Sequence, residues 1–240
     1  MAGRLRRIGY QLGVVQATTA APPRVLDYSG WRPTDAQHLQ MRQAGIVGVS
    51  RYLSLPDQDW KVIHRAEYDR ILAAGLSIVL NWEYQKGSAL GGFILGVQHG
   101  AEARRQARAL GHPDERPIIQ SLDVGYTMAQ APGALEYMRG FNDGGGCGPQ
   151  GIYGARHIID ECLARGLVRV GWQTAATSWG PVPGVSPNAH IVQRAEKSYP
   201  QFAPGLYDQN DIVRPDWGQH PAPVDAAHTC LFGYPCPWAA

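Results

Sequence analysis

The chain has 240 residues, 44% hydrophobic and 18% charged, which is enough apolar material for one large core. Its formal net charge of +2 supplies no strong positive field, so neither a nucleic-acid nor a membrane-surface partner is expected. No run of about 18 apolar residues occurs, which excludes membrane insertion through a spanning helix.

Residues 1–23 are read as a flexible N-terminal arm. Arg4, Arg6 and Arg7 ahead of residues 8–17 imitate the start of a signal peptide, but Gln11, Gly13 and Gln16 interrupt the apolar stretch, so no cleavable signal is expected. From Arg24 onward, short apolar or β-branched runs alternate with helical patterns, the signature of a parallel sheet covered by helices. A first strand at 25–28 leads to a helix capped by Thr34 and stopped at Gly45; a second strand at 46–53 leads to a helix at 66–74 ending at Gly75. Residues 76–83 form a continuous apolar third strand, as in sheets buried on both faces. The Gly-rich stretch 85–96 reads as a loop before a helix at 99–110, and 118–123 is the fourth strand. A helix at 134–142, a flexible turn at 144–148, a fifth strand at 151–154, a helix at 155–165 and a sixth strand at 168–174 follow. Strands at 190–194 and 206–213 are weaker, because Pro and Gly crowd between them. The expected fold is a single α/β domain, a (β/α)8 TIM barrel over 24–217 with eroded last units, and residues 218–240 form a Pro-rich surface tail.

Acidic residues recur at the ends of predicted strands: Asp27 in LDYSG, Glu83 in NWEYQ, Asp123 in SLDVG and Asp208 in YDQND. In a parallel barrel such positions converge on one face, and gathering carboxylates there costs stability unless function requires them. Asp211 competes with Asp208 for that place through a small shift of register. A carboxyl pair whose proton affinities are pushed apart is what glycoside hydrolysis needs. Tyr28, Arg51, Tyr52, Trp82, Tyr84, Tyr126, Tyr153, Trp172 and Gln173 accompany the acids; aromatic faces stack on sugar C–H surfaces, while Arg and Gln donate to sugar oxygens. Asp57, Asp59, Asp114 and Asp143 sit among turn residues, where local roles suffice, and His64, His99 and His157 read as exposed helix residues.

Other chemistries lack their motifs. The glycines 144–146 follow no strand and precede no Lys-Ser/Thr, and neither GxSxG nor HExxH occurs. Cys147, Cys162, Cys230 and Cys236 lack zinc-ligand spacing, so no metal and no cofactor is expected; Cys230 and Cys236 could pair as a small disulfide or remain as free thiols.

The ordered series LDYSG, VSRYL, NWEYQ, SLDVG, GIYG, GWQT and YDQND resembles the glycoside-hydrolase-like barrel domain of actinobacteria and their phages, a family distantly similar to family 25 lysozymes. The resemblance spans about Arg24 to Trp217. It implies a (β/α)8 fold, a site on Asp27, Glu83 and Asp123, and a lining of Arg51, Trp172, Gln173 and Asp208. Family 25 lysozymes carry Asp-x-Glu on the fourth strand, whereas Asp123 here is followed by Val124 and Gly125. The expected function is therefore hydrolysis of cell-wall polysaccharide, muramidase-like and suited to a phage lysin. In that scheme Glu83 replaces the missing acid, Asp123 stabilises positive charge and Asp27 tunes Glu83. The alternative is an inactive carbohydrate-binding barrel that targets the bacterial envelope. A barrel enzyme for phosphorylated metabolites is disfavoured, since an acidic rim repels phosphate.

Overall fold

Side chains alternate along each strand, so every strand feeds two separate layers. In the computed structural model, which describes residues 22–221 apart from 177, 203 and 204, that alternation closes a barrel. Val25, Val79, Ile119, Val170, Ile191 and Ile212 form an inner cluster. Leu26, Val49, Leu80, Ile118 and Ile152 belong to the larger cluster that also holds the helix residues. The expected N-terminal arm, Cys230, Cys236 and residues 222–240 of the expected tail lie outside the described residues.

The strands close in chain order: β1 (Arg24–Asp27), β2 (Ile46–Leu53), β3 (Ser77–Trp82), β4 (Ile118–Ser121), β5 (Gln150–Gly154), β6 (Val168–Gln173), β7 (Ile191–Arg194) and β8 (Asp208–Ile212). From β1 to β7 each neighbouring pair is parallel. Strand β8 runs antiparallel to both β7 and β1, pairing Asp208 with Asp27. The architecture is thus an α/β barrel of the (β/α)8 kind whose last unit is reversed. No helix joins β6 to β7 or β7 to β8 among the described residues. Between β7 and β8, Phe202 and Tyr207 pack on Trp31 in the outer cluster and cover strand faces that a helix would otherwise cover.

The helices are α1 (Asp35–Gln43), α2 (Arg65–Ala73), α3 (Gly92–Ala109), α4 (Ala131–Gly145) and α5 (Arg156–Ala164). Thr34 caps α1 as its sequence predicts, in a reciprocal capping box with Gln37, and Gly45 follows at φ +83°. Two expectations are corrected. Helix α3 begins inside the stretch read as a Gly-rich loop, and α4 runs through Gly144 and Gly145, read as a flexible turn. These glycines are contact surface rather than chain breaks. A methyl group on Gly96 would overlap the Tyr137 carbonyl, on Gly100 that of Phe141, on Gly140 that of Phe93 and on Gly144 that of Val97. The two helices therefore touch backbone to backbone, an approach that only residues without a Cβ permit.

The floor of the barrel is closed by residues after β8. Trp217 joins the inner cluster, and a Cβ on Gly48 would lie 2.8 Å from its ring, so the bare backbone of β2 makes room for the indole. His220 exchanges backbone hydrogen bonds with Ile78 at 2.7 and 2.8 Å, so ordered pairing continues past Trp217. Cys147 is disulfide-bonded, and Cys162 is a buried free thiol. His99 and His157 are buried rather than exposed: the wide faces of α3 and α5 on which they sit are turned to the core, and His99 bonds the Tyr137 hydroxyl at 2.6 Å. Among the described residues no helix is long and apolar enough to cross a membrane.

Candidate active site

Strands β1, β3 and β4 end, and β8 begins, at one rim. Asp27, Glu83, Asp123 and Asp208 line a single cavity there, of about 180 Å³. Asp208 reaches this rim because β8 is reversed: it stands at the start of its strand, not the end expected in an all-parallel barrel. Asp211 lies elsewhere, ion-paired to Arg194 and Arg24. A second cavity, of about 190 Å³, adjoins the first and shares Trp60, Glu83, Ser121 and Asp123 with it.

Asp27 is almost fully buried. Its Oδ1 accepts from the Tyr52 hydroxyl at 3.1 Å and its Oδ2 from Asn210 Nδ2 at 2.7 Å. Burial, and then the nearby Asp208 charge, push its carboxyl up to about 7, against the opposing pull of those hydrogen bonds. Burial also holds Tyr52 well above the usual phenol range, with Asp27 and Glu83 adding to it, so Tyr52 stays a donor. Glu83 is anchored on both oxygens: Lys61 Nζ lies 2.8 Å from Oε1, and Ser121 Oγ donates to Oε2 at 3.2 Å. Burial and the Glu83 charge raise Asp123, while Lys86, 3.8 Å away, and Lys61 oppose the shift. The inner wall is completed by Tyr153, whose hydroxyl is hydrogen-bonded with the Thr174 hydroxyl and with Gln193, and Trp172, which donates to Asn210 at 2.8 Å. Among the described residues, no group of three or more His, Cys, Asp and Glu could hold a metal ion.

Of the residues expected to line the site, Tyr153, Trp172 and Asp208 face the inner cavity, and Tyr84 and Tyr126 face the outer one. Tyr28, Arg51, Trp82 and Gln173 do not, and the reason is parity. Each lies one residue from a luminal neighbour, and a one-residue step turns a strand side chain to the opposite face. Tyr28 and Trp82 are buried in the outer layer against Trp31 and His99. Gln173 bonds Ser186 N and the Gly184 carbonyl, fixing the β6–β7 connection. Arg51 is fully buried, forks onto Glu67 through Nε at 2.6 Å and Nη2 at 3.3 Å, and donates to the Tyr28 carbonyl. It ties β2 to α2 and lines neither cavity. Arg51→Lys keeps the charge but loses the fork, so it should cost about 1–3 kcal/mol in urea unfolding.

The residues that sequence reasoning missed sit two places from those it found: Asn81 before Glu83, Ser121 before Asp123 and Asn210 after Asp208. Strict period-two reading from each acid would have found them. Gln193 carries the same parity on β7, whereas Trp60 and Lys61 belong to the 3-10 turn Pro56–Lys61, where no periodic signal exists.

A family model matches residues 39–223 and is described as the Rv2525c-like, glycoside hydrolase-like domain. The chain belongs to this family. It is similar to the Tat-secreted protein Rv2525c of Mycobacterium tuberculosis, solved in complex with L-tartrate, at 29% identity and a TM-score of 0.71, covering 83% of this chain and 99% of that one. The barrel also matches the catalytic domain of endolysin ply40 from bacteriophage P40 of Listeria monocytogenes at 17% identity and a TM-score of 0.54, covering 80% of this chain and 93% of that one. A bacterial lysozyme from Streptomyces coelicolor matches at 12% identity and a TM-score of 0.51, covering 82% and 94%. At these identities the last two likenesses establish the fold alone. A comparison with curated proteins finds no match.

Proposed function

We propose that the chain is a glycoside hydrolase acting on the polysaccharide of the bacterial cell wall, muramidase-like, with Asp27 rather than Glu83 as proton donor. The observation that carries this reading is the contrast among carboxyls lining one cavity. Asp27 keeps its proton to about pH 7, while Glu83 is locked between Lys61 and Ser121. Carboxyls held in such different surroundings divide the acid and charge-stabilising roles of glycoside hydrolysis. Asp27 protonates the leaving oxygen, Glu83 stabilises the positive charge that develops on the sugar ring, and Asp123 orients the substrate. The aromatic walls and the near-balance of lysines and acids at the outer cavity suit an uncharged glycan. The family's glycoside hydrolase-like description supports the same reaction class.

Sugar release from purified actinobacterial walls tests the reading. Wild-type activity should fall as pH rises through about 7, as the donor loses its proton. Glu83→Gln should slow turnover about 10²-fold or more yet keep that alkaline limb, because the donor remains. Loss of the limb in Glu83→Gln with retention in an Asp27 variant would return the acid role to Glu83. One observation favours a second reading, a binder without turnover. Residue 125, where the lysozymes carry their acid, is glycine, and a Cβ there would lie 3.4 Å from Trp179, so an indole stands beside the space an acid would use. Wall binding without sugar release from wild type would decide for it.

A further inference from the structure

The inner and outer cavities measure about 180 and 190 Å³, each smaller than an ordinary small-molecule pocket of roughly 300–1,000 Å³, whereas the two joined reach that range. The side chain they share most conspicuously is Trp60. It is 59% exposed, and no other aromatic ring among the described residues is both so large and so open. Its position is nonetheless fixed. The indole Nε1 donates to Gln58 at 3.2 Å, its carbonyl accepts from Arg32 at 2.8 Å, and a Cβ on Gly30 would stand 3.5 Å from the ring edge. The next residue, Lys61, grips Glu83 and ties the turn to the site. An aromatic face that is both open and preorganised loses little freedom on binding and gains the burial of a large apolar surface. Asn81 also lines the inner cavity, where its side-chain amide offers a polar group to a ligand hydroxyl.

On the reading that the cleft takes glycan, we infer that it binds at least two consecutive pyranose rings, with Trp60 as the stacking platform for the ring in the outer cavity. The ring in the inner cavity meets the Asn81 amide and Asp27. Because stacking needs a flat apolar face, the outer subsite selects β-linked sugars with equatorial substituents over chains whose rings present axial hydroxyls.

Calorimetry with N-acetylglucosamine monomer, dimer and tetramer tests this on wild type, Trp60→Ala and Trp60→Phe. Wild type should bind dimer and tetramer more tightly than monomer. Trp60→Ala should weaken dimer and tetramer on the order of tenfold and monomer by less, and Trp60→Phe should recover part of the loss. Indole fluorescence should respond to dimer in wild type and lose that response in both variants. Wild-type binding of dimer that survives Trp60→Ala intact would overturn the platform while leaving the glycan reading in place. Failure of wild type to bind any of the three, or cell-wall glycan fragments tested beside them, would overturn both.

Discussion

At pH 8, Asp27→Asn is expected to release no measurable sugar and yet to unfold at a higher temperature than wild type. On the proposed function the substitution removes the donor proton, which should cut turnover on the order of 10²-fold to 10⁴-fold. The gain in stability follows from linkage. The Asp27 carboxyl is raised from 3.8 to about 7 in the fold, chiefly by burial, so the folded protein binds more protons than the unfolded chain between those values. Stability is therefore fullest below about pH 4, falls as pH rises toward 7 and levels off above it. The interval corresponds to roughly 4 kcal/mol, which wild type forfeits at pH 8 and an uncharged side chain does not. Asn fits the same partners: its oxygen accepts from Asn210, and its amide faces the Tyr52 hydroxyl, which can turn to accept. Thermal unfolding of both proteins from pH 4 to pH 8 should show curves that coincide at the acid end and separate by several degrees at the alkaline end. An Asp27→Asn protein no more stable than wild type at pH 8, or one that retains turnover, would sink the assignment.

The second large effect is structural. Gly140→Ala places a methyl group into the Phe93 carbonyl across the α3–α4 contact, where the obstructing atom is backbone and no rotamer change can relieve the clash. Moving α3 away would also open the contacts at Gly96, Gly100 and Gly144, which share the seam. Loss on the order of 3–5 kcal/mol is expected, at the severe end of single substitutions and seen as a lowered urea midpoint. Gly133→Ala on the same helix is the control. Its nearest neighbour would be Leu90 Cδ2 at 3.9 Å, so the helix-propensity gain of up to about 1 kcal/mol is free to appear. Equal effects at the two positions would show that propensity, not the backbone contact, governs this pair.

Strand order and barrel closure were legible because buried strands in this chain are short apolar runs separated by capped helices, and Thr34 and Gly45 mark the ends of α1 in the chain itself. The direction of β8 was not legible. Nothing in YDQND distinguishes a strand entering the rim from one leaving it, and only the long non-helical connection after Arg194 hints that the chain turns back. The α3–α4 seam was misread for a related reason: glycine is a breaker by propensity and a spacer by packing, and the partner helix decides between them. The meeting of the four acids at one cavity was legible, since charge concentrated at strand ends is a one-dimensional signal. Their neighbours were half wrong, because Tyr28, Arg51, Trp82 and Gln173 are one residue out of phase with the lumen, and adjacency along the chain is not adjacency in a barrel. Lys61 and Trp60 come from a turn, where only the folded chain brings them over the acids.

The reversal of β8 also fixes where the two ends of the barrel's chain emerge. Strand β1 rises from the floor at Arg24, and β8 descends from Asp208 at the rim to Ile212, after which Trp217 and His220 settle among the floor residues. Chain entry and chain exit therefore share the pole opposite the cleft. A tether, carrier domain or solid support joined at either side would hold the barrel by its base and leave its mouth facing outward. On the proposed function, that is the orientation in which the cleft meets an extended polymer without an attachment at the base standing in the way.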